Sequence, residues 1–527
     1  MSQAAANANT YDEIPYPSEP LPHAHPDRLA TIARLFGMQP QAIDRCRVLE
    51  LGCGTGGNLI PMAERHPGSS FVGVDYSLNQ VVAGREAIQI LGLENIELKH
   101  LNILDAGDEL GTYDYIICHG VYSWVTPELQ NKVLDLCKSC LAPQGVAYVS
   151  YNAYPAWHLR SIVRELACSG TSPDERPAER VRQLRRALTF LGGALGDETT
   201  PYAKFMRDDF EFVFNQPDNY LFHEYFEDEN SPLYFHEFAE RATRHGLLYV
   251  GDAILPTMFP ANLGPAAEKN LAPFSTDVIS AEQHMDALRS RSFRQTILCH
   301  AGVPLKRHLG LASLDGLYLS AELRPENATP DLKSQKPERF FIPSGATVGS
   351  PAPVVKAALH HLSSSWPRAM SLDALLAGAA ALLGTDGAPA TISAMDRQNL
   401  GDNLVQCLVA GLIEARSAPD SFVTTVSERP CTSLLARTQA RTSPQVNNRR
   451  HEVVNLDDVS QNTLAHLDGQ RDRAELLRIL RESMESGRLS VFKDGVPVGR
   501  VDVADEILEK ALEQCLSQLA ARALLIA

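Results

Sequence analysis

A glycine-rich turn between an apolar strand and a helix is the feature that most restricts how this chain can fold. Val48 to Leu51 is apolar apart from Glu50, and glycines follow at positions 52, 54, 56 and 57. A second apolar run begins at Phe71 and ends in Asp75. Glycine is needed where a backbone turns tightly or passes close to a ligand. This order of elements predicts a nucleoside pocket at the edge of a parallel sheet.

Two carboxylates indicate which ligand the pocket takes. Gly52, Gly54 and Gly57 also fit the dinucleotide pattern G-x-G-x-x-G, which by itself is a weak indicator. Glu50 lies under the turn, where it favours a cationic amino group and opposes a pyrophosphate. Asp75 can accept hydrogen bonds from both ribose hydroxyls. The run therefore resembles the S-adenosylmethionine site of class I methyltransferases, with a turn that binds nothing as the alternative.

Strands and helices alternate after Cys46 at the short spacings of a doubly wound sheet. The predicted helices are Asn58 to Arg65, Leu78 to Leu91 and Pro127 to Leu141. The predicted strands, five parallel and two closing the sheet, are Arg47 to Leu51, Ser70 to Asp75, Ile96 to His100, Tyr113 to His119, Val146 to Ser150, Leu247 to Val250 and Arg294 to Leu298. We therefore expect an α/β fold with the Rossmann-like, seven-stranded sheet of class I methyltransferases, helical insertions and a mainly helical winged-helix C-terminal region.

Length and composition limit the class of protein. At 527 residues the chain is too long for one hydrophobic core, and its length suggests about three domains. Residues 1–11 show no apolar signal sequence, and the apolar stretch near Leu375 to Leu383 is far short of the ~20 residues of a membrane helix. Ten cysteines without a regular framework fit reduced thiols. We expect a cytoplasmic protein without a membrane partner.

Charge and cysteine spacing bear on partners and metals. A formal net charge of −16 opposes nonspecific binding to nucleic acid and slightly favours a basic partner. Cys137 and Cys140 form a single C-x-x-C in a helical pattern, so we interpret them as packing residues. His223 has no second histidine four residues later, which excludes a metalloprotease motif. No metal is expected.

Shifts in composition divide the chain into seven predicted parts. Three helical patterns and a hairpin formed by 413–416 and 422–426 suggest a winged helix. The C-terminal block is predicted to hold helices over 464–483 and 503–523. The parts are an N-terminal arm (1–45), a Rossmann-like core (46–158), a helical insertion or regulatory region (159–230), the sixth and seventh strands with a second insertion (231–323), a linker (324–353), the winged helix (354–432), and a linker with the helical block (433–527).

Reacting groups must come from the carboxyl ends of strands four and five, because a ligand at the glycine turn lies there. Both ends are unusually aromatic, and aromatic faces stabilise cations, although each ring can instead fill a core. His119 can orient a ligand or take a proton, or be a hydrogen-bonded strand-end histidine. The candidates are His119, Tyr122, Asn152 and Tyr154 for catalysis, and Trp124, Tyr151 and Trp157 for substrate binding.

Two further pairs of residues are candidates near the pocket. His223 and Glu224 precede an acidic cluster that either receives a basic substrate or is a solvated loop, and the loop is the favoured interpretation. Asn102 and Ile103 follow strand three, where an adenine ring is usually sandwiched. The cofactor site is predicted to comprise Glu50, Gly52, Cys53, Gly54, Gly56, Asn58, Asp75, Tyr76, Asn102, Ile103 and His119.

Motifs along nearly the whole chain point to one bacterial family. They are Tyr11 to Tyr16, Cys118 to Val125, Tyr151 to Trp157, Phe222 to Phe226, Tyr234 to Phe238, Phe293 to Thr296 and Leu467 to Asp472. With these, the chain resembles the class I protein-lysine methyltransferases that carry a methyltransferase regulatory region and a C-terminal winged-helix domain. Ala156 stands where glycine is expected in the family's Y-P-G-W motif, a departure that bears on the width of the acceptor channel.

The resemblance implies S-adenosylmethionine as methyl donor, lysine side chains of a protein as acceptors, and an N-terminal arm that folds over the cofactor. That arm adds Tyr16 and Ser18 to the predicted cofactor site. The alternatives are a methyltransferase for a small molecule or lipid, and a cofactor-binding regulator with a DNA- or protein-binding winged helix. We expect a protein substrate with accessible lysines and no nucleic acid partner, and a homodimer stays open.

Overall fold

The computed structural model describes residues 14, 16, 18–274, 277–489, 492–493, 496–497 and 505–527. Its central sheet has seven strands: β1 (Arg47–Leu51), β2 (Ser70–Asp75), β3 (Ile96–His100), β4 (Tyr113–Cys118), β5 (Leu141–Asn152), β6 (Leu247–Asp252) and β7 (Phe293–His300). Their order is β3-β2-β1-β4-β5-β7-β6. β1 to β5 are parallel, and β7 is antiparallel to both neighbours. The predicted Rossmann-like, seven-stranded sheet is confirmed.

Four helices accompany the parallel strands: α1 (Pro26–Leu35), α2 (Leu59–Arg65), α3 (Leu78–Leu91) and α4 (Pro127–Ser139). α3 begins where the side chain of Ser77 accepts a hydrogen bond from the N–H of Gln80, and it ends at Gly92 with φ +62°. Thr126 caps α4 in the same way. Such caps satisfy N–H groups that a helix leaves unpaired, and both helices begin at the residues that the sequence predicted.

The sheet is buried on both faces because alternate residues of each strand enter different cores. Val48 and Tyr115 belong to a core that also holds Leu29 of α1. Leu49 and Ile116 belong to a second core, with residues of α4. From β1 the chain adds β2 and β3 on one side, and it then adds β4 and β5 on the other side. The direction in which strands are added therefore reverses between β1 and β4. Ligands of such sheets bind at the carboxyl ends of the strands beside this reversal.

Four helices follow β5: α5 (Trp157–Ser169), α6 (Pro177–Leu195), α7 (Pro201–Phe214) and α8 (Asp218–Phe226). They lie almost wholly within the predicted helical insertion, 159–230. Their apolar side chains form a separate core that includes Val163, Leu188 and Phe210. The four helices therefore pack as a bundle with its own interior.

The next helices are α9 (Phe235–Arg244), α10 (Pro265–Leu271) and α11 (Val278–Arg289), and a buried charge network joins α11 to β6 and β7. Arg294 on β7 is 1% exposed and donates to Asp286 at 2.7 Å and to Glu282 at 3.0 Å. Arg291 donates to Asp252 at 2.7 Å. Each buried carboxylate thus has a guanidinium partner, which offsets part of its desolvation.

Residues 324–353 are more than a linker, because they hold a small antiparallel sheet. β8 (Tyr318–Ser320) precedes the range, and the small sheet consists of β9 (Arg324–Pro325), β10 (Glu338–Phe341) and β11 (Thr347–Ser350). β10 pairs with β9 and β11, and Phe340 is fully buried. The prolines and lysines that suggested a linker lie mainly between β9 and β10, and the strands are too short to show clear alternation.

The predicted winged-helix range, 354–432, contains the three expected helices: α12 (Pro353–Ser365), α13 (Leu372–Leu383) and α14 (Ala394–Val409). The predicted hairpin is wrong. β12 (Met370–Ser371) and β13 (Glu414–Arg416) both pair with β8. No strand is assigned over 422–426, all of whose residues the structure describes; instead the N–H of Val423 donates to the carbonyl oxygen of Leu525 near the chain's end.

The C-terminal region has a separate core that includes Leu476 and Leu516. Its elements are α15 (Leu434–Ala440), β14 (Gln445–Asn447), β15 (Val453–Asn455), α16 (Asp458–Leu464), α17 (Arg473–Glu485), β16 (Phe492–Lys493), β17 (Val496–Pro497) and α18 (Asp505–Ala521). The start of the range 433–527, predicted as a linker, thus holds α15 and β14. The first part of the predicted helix over 464–483 is wrong: α16 ends at Leu464, and a capping box of Asp472 and Glu475 starts α17 only at Arg473.

Candidate functional site

The glycine turn after β1 has the backbone that its sequence predicts. Gly52, Gly54 and Gly56 have φ values of +78°, +55° and +77°, which side-chain-bearing residues rarely adopt. A Cβ atom on Gly52 would lie 2.4 Å from Val121 Cγ2. Replacing this glycine would therefore distort the turn as well as strain it.

Asp75 ends β2 beside this turn. One carboxylate oxygen accepts a hydrogen bond from the N–H of Gly54 at 2.8 Å, and the other accepts from the N–H of Ser77 at 2.8 Å. These bonds fix the carboxylate at the end of β2 beside the glycine turn, which is where the ribose of a nucleoside ligand lies in such folds.

Glu50 lies buried below the turn. Its Oε1 accepts a hydrogen bond from Nδ2 of Asn58 at 2.8 Å, while Oε2 has no hydrogen-bond partner among the described residues. Burial, with a smaller contribution from the charge of Asp75, raises the pKa of Glu50 to about 8. A buried acceptor without a donor is costly unless a ligand supplies one. This site fits a cofactor with a cationic amino group.

The side-chain amide of Asn58 joins three distant segments of the chain. Its Oδ1 accepts from the N–H of Leu21 at 3.0 Å and lies 2.8 Å from Nε2 of His451. Its Nδ2 donates to Glu50. His451 lies in the C-terminal region, and neither it nor Leu21 was predicted for the site. No local pattern signals these contacts, because the partners are far apart in sequence.

The N-terminal arm lies across the glycine turn, as the family resemblance implies. Ser18 Oγ accepts a hydrogen bond from the N–H of Gly57 at 2.8 Å. Tyr16 is 43% exposed, and its ring centroid lies 5.7 Å from that of His223. Burial, followed by the charges of Glu224 and Glu19, raises the pKa of Tyr16 to about 12. Residues 1–13, the start of the predicted arm, lie outside the described residues.

The remaining predicted cofactor residues lie around the ends of β1, β2 and β3. Tyr76 is 64% exposed, so its ring is open to a ligand, whereas Cys53 and Ile103 are buried. Asn102 accepts a hydrogen bond from the N–H of Leu104 at 3.0 Å. Its side chain therefore shapes the turn after β3.

His119 follows β4, which ends one residue earlier than predicted. Its Nδ1 lies 2.8 Å from the hydroxyl oxygen of Tyr148, and that hydroxyl donates to Gln295 Oε1 at 3.2 Å. Because the hydroxyl proton is used on Gln295, Nδ1 of His119 carries the proton and Nε2 is left as an acceptor. Burial lowers the pKa of His119 to about 4, so the imidazole is neutral at pH 7.

Tyr122 and Tyr151 lie in the hydrophobic core. Their ring centroids are 5.3 Å and 4.2 Å from that of Phe238, and both side chains are fully buried. Core packing therefore accounts for both rings. Trp124 is half-buried and contacts the buried ring of Trp157 edge-on, with centroids 6.2 Å apart.

An aromatic rim, which we define as Tyr154, His158 and Tyr234, borders the carboxyl end of β5. The rings of Tyr154 and His158 are stacked with centroids 4.0 Å apart, and Tyr154 and Tyr234 are 5.2 Å apart. Asn152 donates from Nδ2 to Asn230 Oδ1 at 3.2 Å. His158 and Tyr234 were not predicted as site residues, although Tyr234 begins one of the motifs quoted above.

His223 and Glu224 are on helix α8, and the acidic residues 227–229 that follow the helix form a loop, as the favoured interpretation predicts. His223 Nε2 donates to the carbonyl oxygen of Ile14 at 2.7 Å, and its Nδ1 lies 2.7 Å from Glu227 Oε1. Burial raises the pKa of Glu224 to about 7, against the lowering effect of Arg160. His223 therefore holds the arm beside Glu224, whose carboxyl group titrates near neutrality.

The described residues contain no cluster of histidine, cysteine or acidic side chains suited to a metal ion. Cys137 lies in α4 and Cys140 directly follows the helix, and both side chains are buried. Within the same described ranges, no helix is both long and apolar enough to cross a membrane.

Three parts of the chain match known protein families. A methyltransferase domain model matches residues 49–147, a predicted methyltransferase regulatory domain matches 217–300, and the PKMT C-terminal winged helix domain matches 428–524. The structure of PKMT2 from Rickettsia typhi is 30% identical, with a TM-score of 0.88 over 97% of this chain and 100% of that one. An uncharacterized protein of Rickettsia prowazekii (strain Madrid E) is 30% identical over 539 residues, 99% of this chain and 94% of its own length. The chain belongs to the PKMT family.

PKMT membership establishes the cofactor and the class of reaction. The Rickettsia typhi PKMT2 structure in complex with AdoHcy gives a TM-score of 0.87 with this chain at 30% identity. The chain is an S-adenosylmethionine-dependent methyltransferase, and Glu50 and Asp75 offer the acceptors that this cofactor's amino group and ribose need. The comparisons place two domains differently from the sequence analysis. The regulatory match covers 217–300 instead of 159–230, and the winged-helix match covers 428–524 instead of 354–432.

Proposed function

We propose that this PKMT transfers methyl groups to lysine side chains of a protein substrate in the cytoplasm. The observation that carries the proposal is the aromatic rim at the carboxyl end of β5. Aromatic faces attract an ammonium group and provide an apolar wall for the four methylenes of lysine. Similarity over 97% of the chain to a protein named PKMT2 supports the same assignment.

The residues around the strand ends divide the work of binding and orientation. S-adenosylmethionine, when bound, supplies an electrophilic methyl group on a positively charged sulfur. Asp75 holds the ribose, Glu50 holds the amino group, and the aromatic rim orients the lysine and excludes water. Glu224, whose pKa is raised to about 7, accepts hydrogen bonds from the incoming ammonium and can take its proton.

A protein partner suits the rest of the molecule better than nucleic acid. Arg449 and Arg450, two basic residues of the C-terminal winged-helix region, pair within the chain with Glu64 at 3.5 Å and Glu414 at 2.6 Å. The net charge of −16 attracts lysine-rich proteins and repels phosphates.

The proposal is tested by finding which molecule receives the methyl group. The purified chain is incubated with S-adenosylmethionine labelled on the methyl and with a cell extract, and products are identified by mass spectrometry. We expect label on lysines of a protein, and none with Asp75→Ala, which loses the ribose contact. Label confined to a small molecule or a lipid would contradict the lysine assignment while leaving methyl transfer intact.

The role of the aromatic rim is tested separately at Tyr154. Tyr154→Ala removes the central ring and should raise the KM for a lysine-containing substrate about tenfold, because a cation over an aromatic face is stabilised by roughly 0.5–2 kcal/mol. Tyr154→Phe keeps the ring and should stay within about threefold of the wild type. Equal KM values for the two variants would show that the rim does not bind the acceptor.

A further inference from the structure

We infer that His451, contributed by the C-terminal winged-helix region, is a positioning residue of the S-adenosylmethionine site and acts through Asn58 on Glu50. The three side chains form a continuous hydrogen-bonded chain. Nε2 of His451 lies 2.8 Å from Asn58 Oδ1, and Asn58 Nδ2 lies 2.8 Å from Glu50 Oε1. All three are at most 4% exposed.

The hydrogen-bond directions in this chain are fixed. Asn58 Oδ1 already accepts from the N–H of Leu21, so the amide oxygen must face that side. His451 Nε2 must then be the protonated nitrogen, because a carbonyl oxygen only accepts. The amide nitrogen is left to face Glu50. Removing the His451 donor therefore releases one of two restraints on the amide that orients the carboxyl group.

His451 is held at this point by a turn of residues 448–452, which we call the docking segment. The side-chain oxygen of Asn448 accepts from the N–H of Arg450 at 2.9 Å and from the N–H of Glu452 at 3.0 Å. His451 itself has φ +66°, a conformation that costs a residue with a side chain of order 1–3 kcal/mol. The turn thus retains an unfavourable backbone conformation that directs this imidazole to Asn58.

The docking segment is also attached firmly to the methyltransferase core. Arg449 pairs with Glu64 on α2 and donates to Ser421 Oγ at 3.3 Å. The ring of His451 contacts His25, before α1, edge-on with centroids 4.7 Å apart. These contacts surround the link to Asn58 but do not involve it, so they offer a matched control.

The inference predicts a selective loss of cofactor affinity. His451→Leu keeps an apolar side chain of similar reach but removes the donor, and should weaken AdoHcy binding about tenfold in calorimetry, since one buried hydrogen bond contributes roughly that factor. His451→Gln presents an N–H at the same distance and should restore affinity to within about threefold. Arg449→Gln removes the ion pair with Glu64 but keeps the hydrogen bond from Arg65 to the carbonyl oxygen of residue 449, so His451 stays in place and AdoHcy binding should match the wild type. Wild-type affinity in His451→Leu, or an equal loss in Arg449→Gln, would overturn the inference.

A second measurement needs no variant. If the docking segment favours the binding-competent arrangement of Glu50, AdoHcy must stabilise the segment in return, because coupling between two sites is reciprocal. Hydrogen–deuterium exchange of the wild-type protein should therefore slow at residues 448–452 when AdoHcy is added. Exchange there that is unchanged by saturating AdoHcy would show that the winged-helix region and the cofactor site are independent.

Discussion

At the scale of single residues, the site depends on where protons reside. Glu50 is buried with its pKa raised to about 8, His119 is half-buried with its pKa lowered to about 4, and Glu224 has its pKa raised to about 7. All three shifts have burial as their largest cause, because a low-dielectric interior disfavours charge. In the free protein at pH 7, Glu50 and His119 are therefore mostly uncharged.

The raised pKa of Glu50 predicts how cofactor binding depends on pH. The pKa of Glu50 is 4.5 in the unfolded chain and about 8 in the folded protein, so protonated Glu50 stabilises the fold fully below pH 4.5. This contribution is lost as pH rises through about 8. An ammonium group favours the carboxylate, so binding releases a proton, and AdoHcy affinity should rise about tenfold from pH 6.5 to pH 8. Binding calorimetry in buffers of different ionisation enthalpy measures both the affinity and the number of protons released. In Glu50→Gln the proton release should vanish, and its persistence would assign the titration to another group.

At the scale of elements, the backbone of the N-terminal arm packs closely against the backbone of the glycine turn. A Cβ atom on Gly57 would lie 1.9 Å from the carbonyl oxygen of Ser18, which is far closer than two non-bonded atoms can approach. The arm can therefore lie over the turn only because residue 57 is glycine. The sequence motif at this position serves the arm as much as the cofactor.

Gly57→Ala should displace the arm. We expect faster limited proteolysis near Ser18 and AdoHcy binding weakened about tenfold, because the arm also supplies the Leu21 N–H that restrains Asn58. Gly192→Ala is the control: it lies in helix α6 with open space around the added methyl, and alanine is the better helix former. Equal proteolysis of the Gly57→Ala variant and the wild type would refute the steric argument.

The charge network between β7 and α11 predicts a large effect on stability. Arg294→Met leaves Glu282 and Asp286 buried without their guanidinium, a change that typically costs about 3–5 kcal/mol. The midpoint of thermal unfolding should fall markedly. Arg244→Gln breaks an exposed pair with Glu240 and should change it little. Similar midpoints for the two variants would mean that Arg294 is not the network's centre.

At the scale of the whole molecule, the sequence predicted the parts built from regular periodic segments. The strands around Glu50 and Asp75 were found because apolar runs end in a glycine turn or an acid. Short strands such as Glu338–Phe341 were missed, since four residues show no reliable alternation. The contact of His451 with Asn58 joins residues 393 positions apart, and no local pattern records such a pairing.

The overall charge makes a prediction about substrate encounter. With a net charge of −16, association with a lysine-rich peptide should weaken as salt screens the attraction. Raising ionic strength from about 0.05 M to 0.3 M should increase the KM for such a peptide several-fold and leave kcat within about twofold. Initial-rate kinetics measure both parameters, and a KM that is independent of salt would exclude charge steering.

The separate interior of the bundle α5–α8 has a mechanical consequence. A unit with its own core can tilt as a rigid body without losing its internal packing. Its first helix, which begins at Trp157, carries His158 of the rim, and its last helix carries His223, which holds the arm. The bundle thus contacts both the aromatic rim, where the acceptor is proposed to bind, and the N-terminal arm, which lies over the glycine turn. A tilt of the bundle would therefore move both places together, which would couple the size of the acceptor to the retention of the cofactor.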